Sequence, residues 1–190
     1  MKVIITIIYL IYGFISFVFF ITNMIRLFLS RKKNRKTFAK YYSLTSIVEV
    51  KQKQKEIEYF FLEQSSKLKK NYLLAKFIYL IMCLTLLLET LFSLLTLILN
   101  LNFMFTLFIA LLAFLTMTLY IVLTKKISQL SYSLIKENDS IKLKESNTFL
   151  VPSSDLAFDK EQHNYNLLIL SLILFIIYII MSIIIFINYY

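Results

Sequence analysis

The chain has 190 residues, 59% of them hydrophobic, and a formal net charge of +10. That length holds one domain or a small helical bundle. One cysteine, Cys83, and one histidine, His163, exclude an internal disulfide framework, a cysteine-based zinc site and a histidine cluster. Lys outnumbers Arg, Ile, Phe, Tyr and Asn are frequent, Gly and Pro occur once each, and Trp is absent. These preferences follow the codons of an AT-rich genome. The missing Trp belt and missing GxxxG motif therefore say little about packing.

The fold expected is all-α, an integral membrane helical bundle with four transmembrane helices. Val3 to Leu29 is apolar apart from Asn23 and Arg26. It is too long for a signal peptide and lacks a cleavage site, so residues 1–29 read as a retained transmembrane helix. Gly13 is tolerated in such a helix. Arg26 stands at its end, where a long side chain reaches the headgroups.

Residues 30–71 form a basic arm. Between Ser30 and Asn71 there are twelve Lys or Arg and four Glu, a surplus of eight. The positive-inside rule places this arm in the cytoplasm and the N-terminus outside. Ser46-Ile47-Val48-Glu49 fits a capping box and starts a helix. No Gly or Pro follows before Leu99, so that helix is expected to run straight into the second span. Ile47, Val50, Ile57, Phe61 and Leu68 recur at heptad spacing.

Residues 72–124 read as a transmembrane hairpin that turns at Asn100-Leu101-Asn102. Each limb exceeds the ~20 apolar residues that a ~30 Å hydrocarbon core requires. Thr85, Glu89, Ser93 and Thr96 share one face of the first limb, at spacings of four, four and three. Thr106, Ala110, Ala113 and Tyr120 share a face of the second. Folding about Leu101 sets Glu89 near the depth of Ala113 and Thr96 near Thr106. Glu89 has two readings: an ion or proton site, or a protonated residue that hydrogen-bonds Thr85 or Ser93 and holds helices together. No second acid, base or His accompanies it within the span, which favours the structural reading.

Residues 125–165 are read as a helical extension followed by a polar loop. Leu123, Ile127, Leu130 and Leu134 step by four, three and four. If they zip with the arm's seam, the hairpin carries an antiparallel coiled-coil stalk below the membrane. The competing reading is an amphipathic helix on the inner leaflet, with Tyr59, Phe60, Phe61 and Leu62 dipping in. Glu137 to Asn166 reads as loop, with a short helix from Ser153 or Ser154 to about Gln162. His163 is then a juxtamembrane surface residue. Residues 166–190 hold the fourth helix, whose apolar run Leu167–Ile187 returns to the outside. Both termini are then extracytoplasmic.

No Walker loop, GxSxG, HExxH or CxxC occurs. No cofactor is expected, and no nucleophile, base or metal set can be assembled. The function expected is non-enzymatic: a scaffold or small subunit whose basic arm docks a partner or the anionic inner leaflet. Lys51, Lys53, Lys55, Lys67, Lys69 and Lys70 are the contact candidates. Other membrane subunits or further copies of the chain are expected partners, and nucleic acid is the least favoured. The alternative is an oligomeric channel or transporter that uses Glu89.

Overall fold

A computed structural model describes residues 2–99, 103–140 and 155–189. The described chain is all-α. Five helices follow one another: α1 (Lys2–Tyr41), α2 (Ile47–Gln64), α3 (Ser66–Leu99), α4 (Phe103–Ser140) and α5 (Asp155–Tyr189). All but α2 are long and apolar enough to cross a membrane. At 1.5 Å per residue the 40-residue α1 is about 60 Å long, twice the thickness of the hydrocarbon core. The long helices therefore project beyond any bilayer that holds them.

Their surfaces are apolar and their contacts are partly polar. Phe14, Leu97 and Ile98 are 70, 82 and 75% exposed, whereas Ser16, Asn23, Thr85, Thr106 and Ser171 are buried. A water-soluble bundle would reverse that arrangement. Lipid-facing helices bury small and hydrogen-bonding residues against one another because their apolar surface gains nothing from association.

The four long helices are joined unequally. A core of Phe20 and Leu27 from α1, Ile121 from α4, and Tyr165, Leu168 and Leu172 from α5 binds three of them. Among the long helices α3 packs on the flank of α4, through Ala75, Ile78 and Leu123. Only 11% of its most apolar stretch is buried, against 22–28% in the other three.

Contacts at both ends fix an up-and-down arrangement. At one end Tyr9 of α1 meets Ser182 of α5, and Phe103 of α4 lies beside Phe186 of α5. At the other, Arg31 of α1 meets Tyr165 of α5, and Gln162 of α5 donates to Ser128 of α4 at 3.3 Å. The second end carries the basic residues and is called the basic end below.

Several helix boundaries differ from those expected. α1 does not stop near Leu29 but continues through the basic cluster to Tyr41, because no Gly or Pro interrupts it. It ends where Ser43 adopts φ 53°, with Leu44 N–H donating to Ala39 O at 2.9 Å and Ser43 N–H to Lys40 O at 3.3 Å. This is the Schellman stop, made here by serine in place of the usual glycine.

The capping box is borne out. Ser46 Oγ accepts from Glu49 N–H at 3.1 Å, and Glu49 Oε2 accepts from Ser46 N–H at 3.2 Å. The straight run from Ser46 to Leu99 is not. Ser65 is extended (φ −131°, ψ 108°); its N–H closes α2 on Phe61 O, and its Oγ accepts from Leu68 N–H to open α3. One serine thus ends one helix and caps the next, which no Gly or Pro announced.

Nor do α2 and α4 pair as a stalk. α2 packs against α3 and, more lightly, α1. The tail of α4 lies along α5 instead, with Tyr132 stacked on Phe158 at 3.8 Å and Lys136 Nζ 3.3 Å from Asp155 Oδ1. Glu137 to Ser140, expected as loop, is the last turn of α4. The short helix before the fourth span is part of α5, which passes unbroken through His163. The expected turn at Asn100-Leu101-Asn102 and the loop motifs from Ser146 to Ser154 lie outside the described residues.

The one glycine sits where α1 and α5 are closest. A Cβ on Gly13 would lie 2.5 Å from the Tyr178 ring. Gly13→Ala is expected to cost about 1–3 kcal/mol by overpacking, read as a lower unfolding midpoint in detergent. An unchanged midpoint would mean that α1 and α5 are not held this closely. At the start of α2, the backbone N–H groups of Thr45 and Ser46 hold the Glu49 carboxyl below its ordinary value of 4.5. A lowered folded value stabilises the cap above that pH and is lost as pH falls through the folded value. Amide exchange in the first turn of α2 should accelerate in that acid range, and the response should vanish in Glu49→Gln.

Candidate functional site

The polar face of α3 meets α4 along its length. Thr85 Oγ1 and Thr116 Oγ1 are 3.3 Å apart, and Thr96 Oγ1 and Thr106 Oγ1 are 2.9 Å apart. Each of these pairs joins the two limbs of the hairpin. Together they fix the register, so that Glu89 comes level with Leu112 and Ala113. Ala113 is fully buried and Glu89 half-buried. Thr85, Glu89, Ser93 and Thr96 are therefore gathered along one interface, as their spacing implies.

Within that interface Glu89 is lightly held. Ser93 Oγ donates to Glu89 Oε1 at 3.5 Å, the outer limit of a hydrogen bond. Thr85, the other expected partner, instead donates to Met82 O at 3.0 Å and faces Thr116. Thr96 donates back to Phe92 O at 2.8 Å. Hydroxyls that bond the preceding turn neutralise themselves in hydrocarbon and leave little for a neighbouring carboxylate. Among the described residues no group of three or more His, Cys, Asp or Glu is placed to hold a metal ion.

The basic candidates occupy α2 and the first turns of α3. Lys51, Lys55, Lys67, Lys69 and Lys70 are exposed. Lys53 is not equivalent to them: its Nζ lies 3.1 Å from Glu56 Oε2 and over the Tyr42 ring at 5.9 Å. On a helical projection Lys51 and Lys55 fall between Ile47, Val48 and Tyr59. These three apolar residues are 72, 73 and 65% exposed. The adjoining side of α2, next to Ile47, buries Val50 and Phe61. The seam residues Val50, Phe61 and Leu68 are thus inside, and Ile47 is outside.

Two polar sites were not anticipated. At the basic end Arg31 reaches the Tyr165 hydroxyl and lies over its ring at 5.2 Å. Its Nε is 3.9 Å from Glu161 Oε1, and Asn34 Nδ2 donates to Glu161 Oε2 at 2.7 Å. Arg31 and Asn34 are three apart and Glu161 and Tyr165 four apart, the spacings of single helix faces. That signal emerges only if α1 and α5 extend beyond the membrane, which the loop assignments obscured. Deeper in α1, Asn23 is 1% exposed and donates to Phe19 O at 2.9 Å. Its Oδ1 has no hydrogen-bond partner among the described residues.

No family model matches the chain, no curated protein matches it, and no solved structure matches it.

The weak hold on Glu89 yields a direct test. Glu89→Gln removes a carboxyl whose insertion costs on the order of 3 kcal/mol when ionised, and keeps its size. The variant is expected to unfold at the same or a higher midpoint in detergent. In liposomes neither protein should carry ions. Flux in the wild type that disappears in the variant would make Glu89 a transport site.

Proposed function

We propose that this chain is a non-enzymatic multi-pass membrane scaffold whose α2 arm engages the anionic inner leaflet. The observation that carries this reading is the exposed face of α2. It mixes Lys51 and Lys55 with Ile47, Val48 and Tyr59, all open to the surroundings. A helix surface of this kind lies in the headgroup layer, with apolar side chains among the upper acyl carbons and ammonium groups among phosphates. Lys67, Lys69 and Lys70 extend the same charge into the foot of α3. Each lysine near an anionic surface contributes about 1 kcal/mol.

The orientation follows from charge. The basic end, with the arm, lies in the cytoplasm, and both termini lie on the far side. Tyr42 and Lys53, in contact by the α1–α2 corner, hold the arm close to the spans instead of free in solution. The scaffold role itself is supported by the mixed pattern of association. α1, α4 and α5 share one core, while α3 leaves most of its apolar surface to lipid or to other subunits.

The arm is tested by placing a polarity-sensitive fluorophore at position 48, as Val48→Cys on a Cys83→Ser background. Emission is expected to shift to the blue in nanodiscs that contain phosphatidylglycerol, relative to pure phosphatidylcholine. Replacing Lys51, Lys55, Lys67, Lys69 and Lys70 with Gln should remove most of the difference. Equal emission in both lipids would reject leaflet contact and leave a protein partner as the arm's target.

A further inference from the structure

Between α3 and α4, toward the basic end, a groove of about 260 Å³ opens sideways from the helix pair. We infer that it is a binding site for one anionic glycerophospholipid, whose phosphate sits on Lys76 and whose upper acyl chain lies along the paired rings of Tyr79 and Tyr120. The site is separate from the exposed face of α2 and does not depend on that helix touching the leaflet.

The groove exists because Ala75 is small. It is buried against α4 and leaves a notch between larger neighbours on both helices. Tyr79 of α3 and Tyr120 of α4 touch and form one aromatic wall, with ring centroids 5.4 Å apart and planes tilted by 48°. Thr124 closes the α4 side. Its hydroxyl donates to Tyr120 O at 2.8 Å. The lining is mostly apolar and aromatic, and a hydrocarbon chain suits it better than an ion in water.

Lys76 gives the groove its polarity. It is exposed, and its Nζ lies 4.4 Å from the centroid of the Tyr72 ring, one turn nearer the basic end. The ammonium is thereby drawn toward the headgroup layer while the stem stays along the groove, the posture of a snorkelling lysine. From Phe77 to Leu99 and from Phe103 to Thr124 the only Asp, Glu, Lys, Arg or His is Glu89, nearly four turns away. Glu58 of α2 approaches the Tyr72 hydroxyl at this corner, and no ion pair joins it to Lys76 among the described residues. A cation at the rim of an apolar slot, at the level where a bilayer places phosphate, complements one lipid molecule at both of its ends.

Size argues the same way. The groove falls just short of the ~300–1,000 Å³ of pockets that enclose a drug-sized ligand. Open on its side, it takes the top of a lipid and leaves the rest in the bilayer. A soluble phosphate compound would gain the ammonium but not the aromatic wall.

Native mass spectrometry of the full chain tests the site, after release from nanodiscs of phosphatidylcholine with a minority of phosphatidylglycerol. One phosphatidylglycerol is expected to stay bound to the wild type in preference to phosphatidylcholine. Lys76→Gln should reduce the retained fraction about fivefold, the factor carried by one lysine near an anionic surface. Lys76→Arg should restore it, and Lys36→Gln, on the exposed surface of α1, should leave it unchanged. Retention by Lys76→Gln at the wild-type level would overturn the proposal, as would equal retention of the two lipids. Loss with Lys55→Gln but not with Lys76→Gln would assign the lipid to α2 instead. Circular dichroism of each variant separates lost lipid from lost fold.

Discussion

Polar groups inside hydrocarbon have to find partners within the protein, because no water is there to supply them. Most of the internal arrangement of this chain follows from that constraint. Thr22, Thr90, Thr118, Thr124 and Ser171 each donate to a carbonyl three or four residues back in the same helix. Such a hydroxyl is satisfied wherever its helix goes, so it places no demand on a neighbour. Other hydroxyls reach across and choose the partners: Thr85 with Thr116, Thr96 with Thr106, Tyr9 with Ser182, Tyr12 with Leu174 O. The first two align the hairpin and the last two tie α1 to α5.

The same constraint explains why the helices are unequally joined. The α1–α5 contact is close because Gly13 admits the Tyr178 ring, and it is locked again about 27 Å away, at ~1.5 Å per residue, by Arg31 on Tyr165 and Glu161. A guanidinium that stacks on an aromatic ring while it bonds a hydroxyl is held in orientation as well as in charge. α3 has no such anchor. Its one extensive neighbour is α4, which it follows along its length through two hydroxyl pairs and the apolar contacts around Ala75. An edge helix with one such neighbour leaves its other faces open, and both lipid-facing proposals concern α3 or the arm that leads into it.

The sequence made some of this legible and hid the rest for physical reasons. Four spans, the hairpin register and the capping box were readable because hydrophobic length, face spacing and cap chemistry are local. Helix ends were not. α1 and α5 continue through charged residues because lysine, arginine and glutamate are good helix formers, and a change of composition at the membrane surface is not a change of backbone. The stop at Ser43 and the break at Ser65 use serine where glycine is the usual signal. A chain with one glycine leaves little else for those places. Partner choice was also invisible: the seams of α2 and α4 have matching spacing, but Tyr132 and Ser128 meet Phe158 and Gln162 of α5 first. Spacing defines a face without naming what covers it. Of the candidate site, the shared face of Thr85, Glu89, Ser93 and Thr96 was legible, and the notch at Ala75 beside Lys76 was not, because it needs two helices.

The break at Ser65 is what turns a basic segment into an arm. Had α2 run straight into α3, Lys51, Lys53 and Lys55 would stand about 15–21 Å beyond Ser65 along the helix axis, at ~1.5 Å per residue. That is beyond the ~8 Å over which charge is felt at physiological salt. The extended residue at Ser65 lets α2 turn against α3 and α1, so Val50 and Phe61 are buried near the spans. With those two buried, Ile47, Val48 and Tyr59 stay exposed beside Lys51 and Lys55. Exposed apolar side chains of that size beside lysines match a surface that is apolar beneath a layer of negative charge. The inner face of a bilayer has that structure, which is why the leaflet is the partner proposed for the arm.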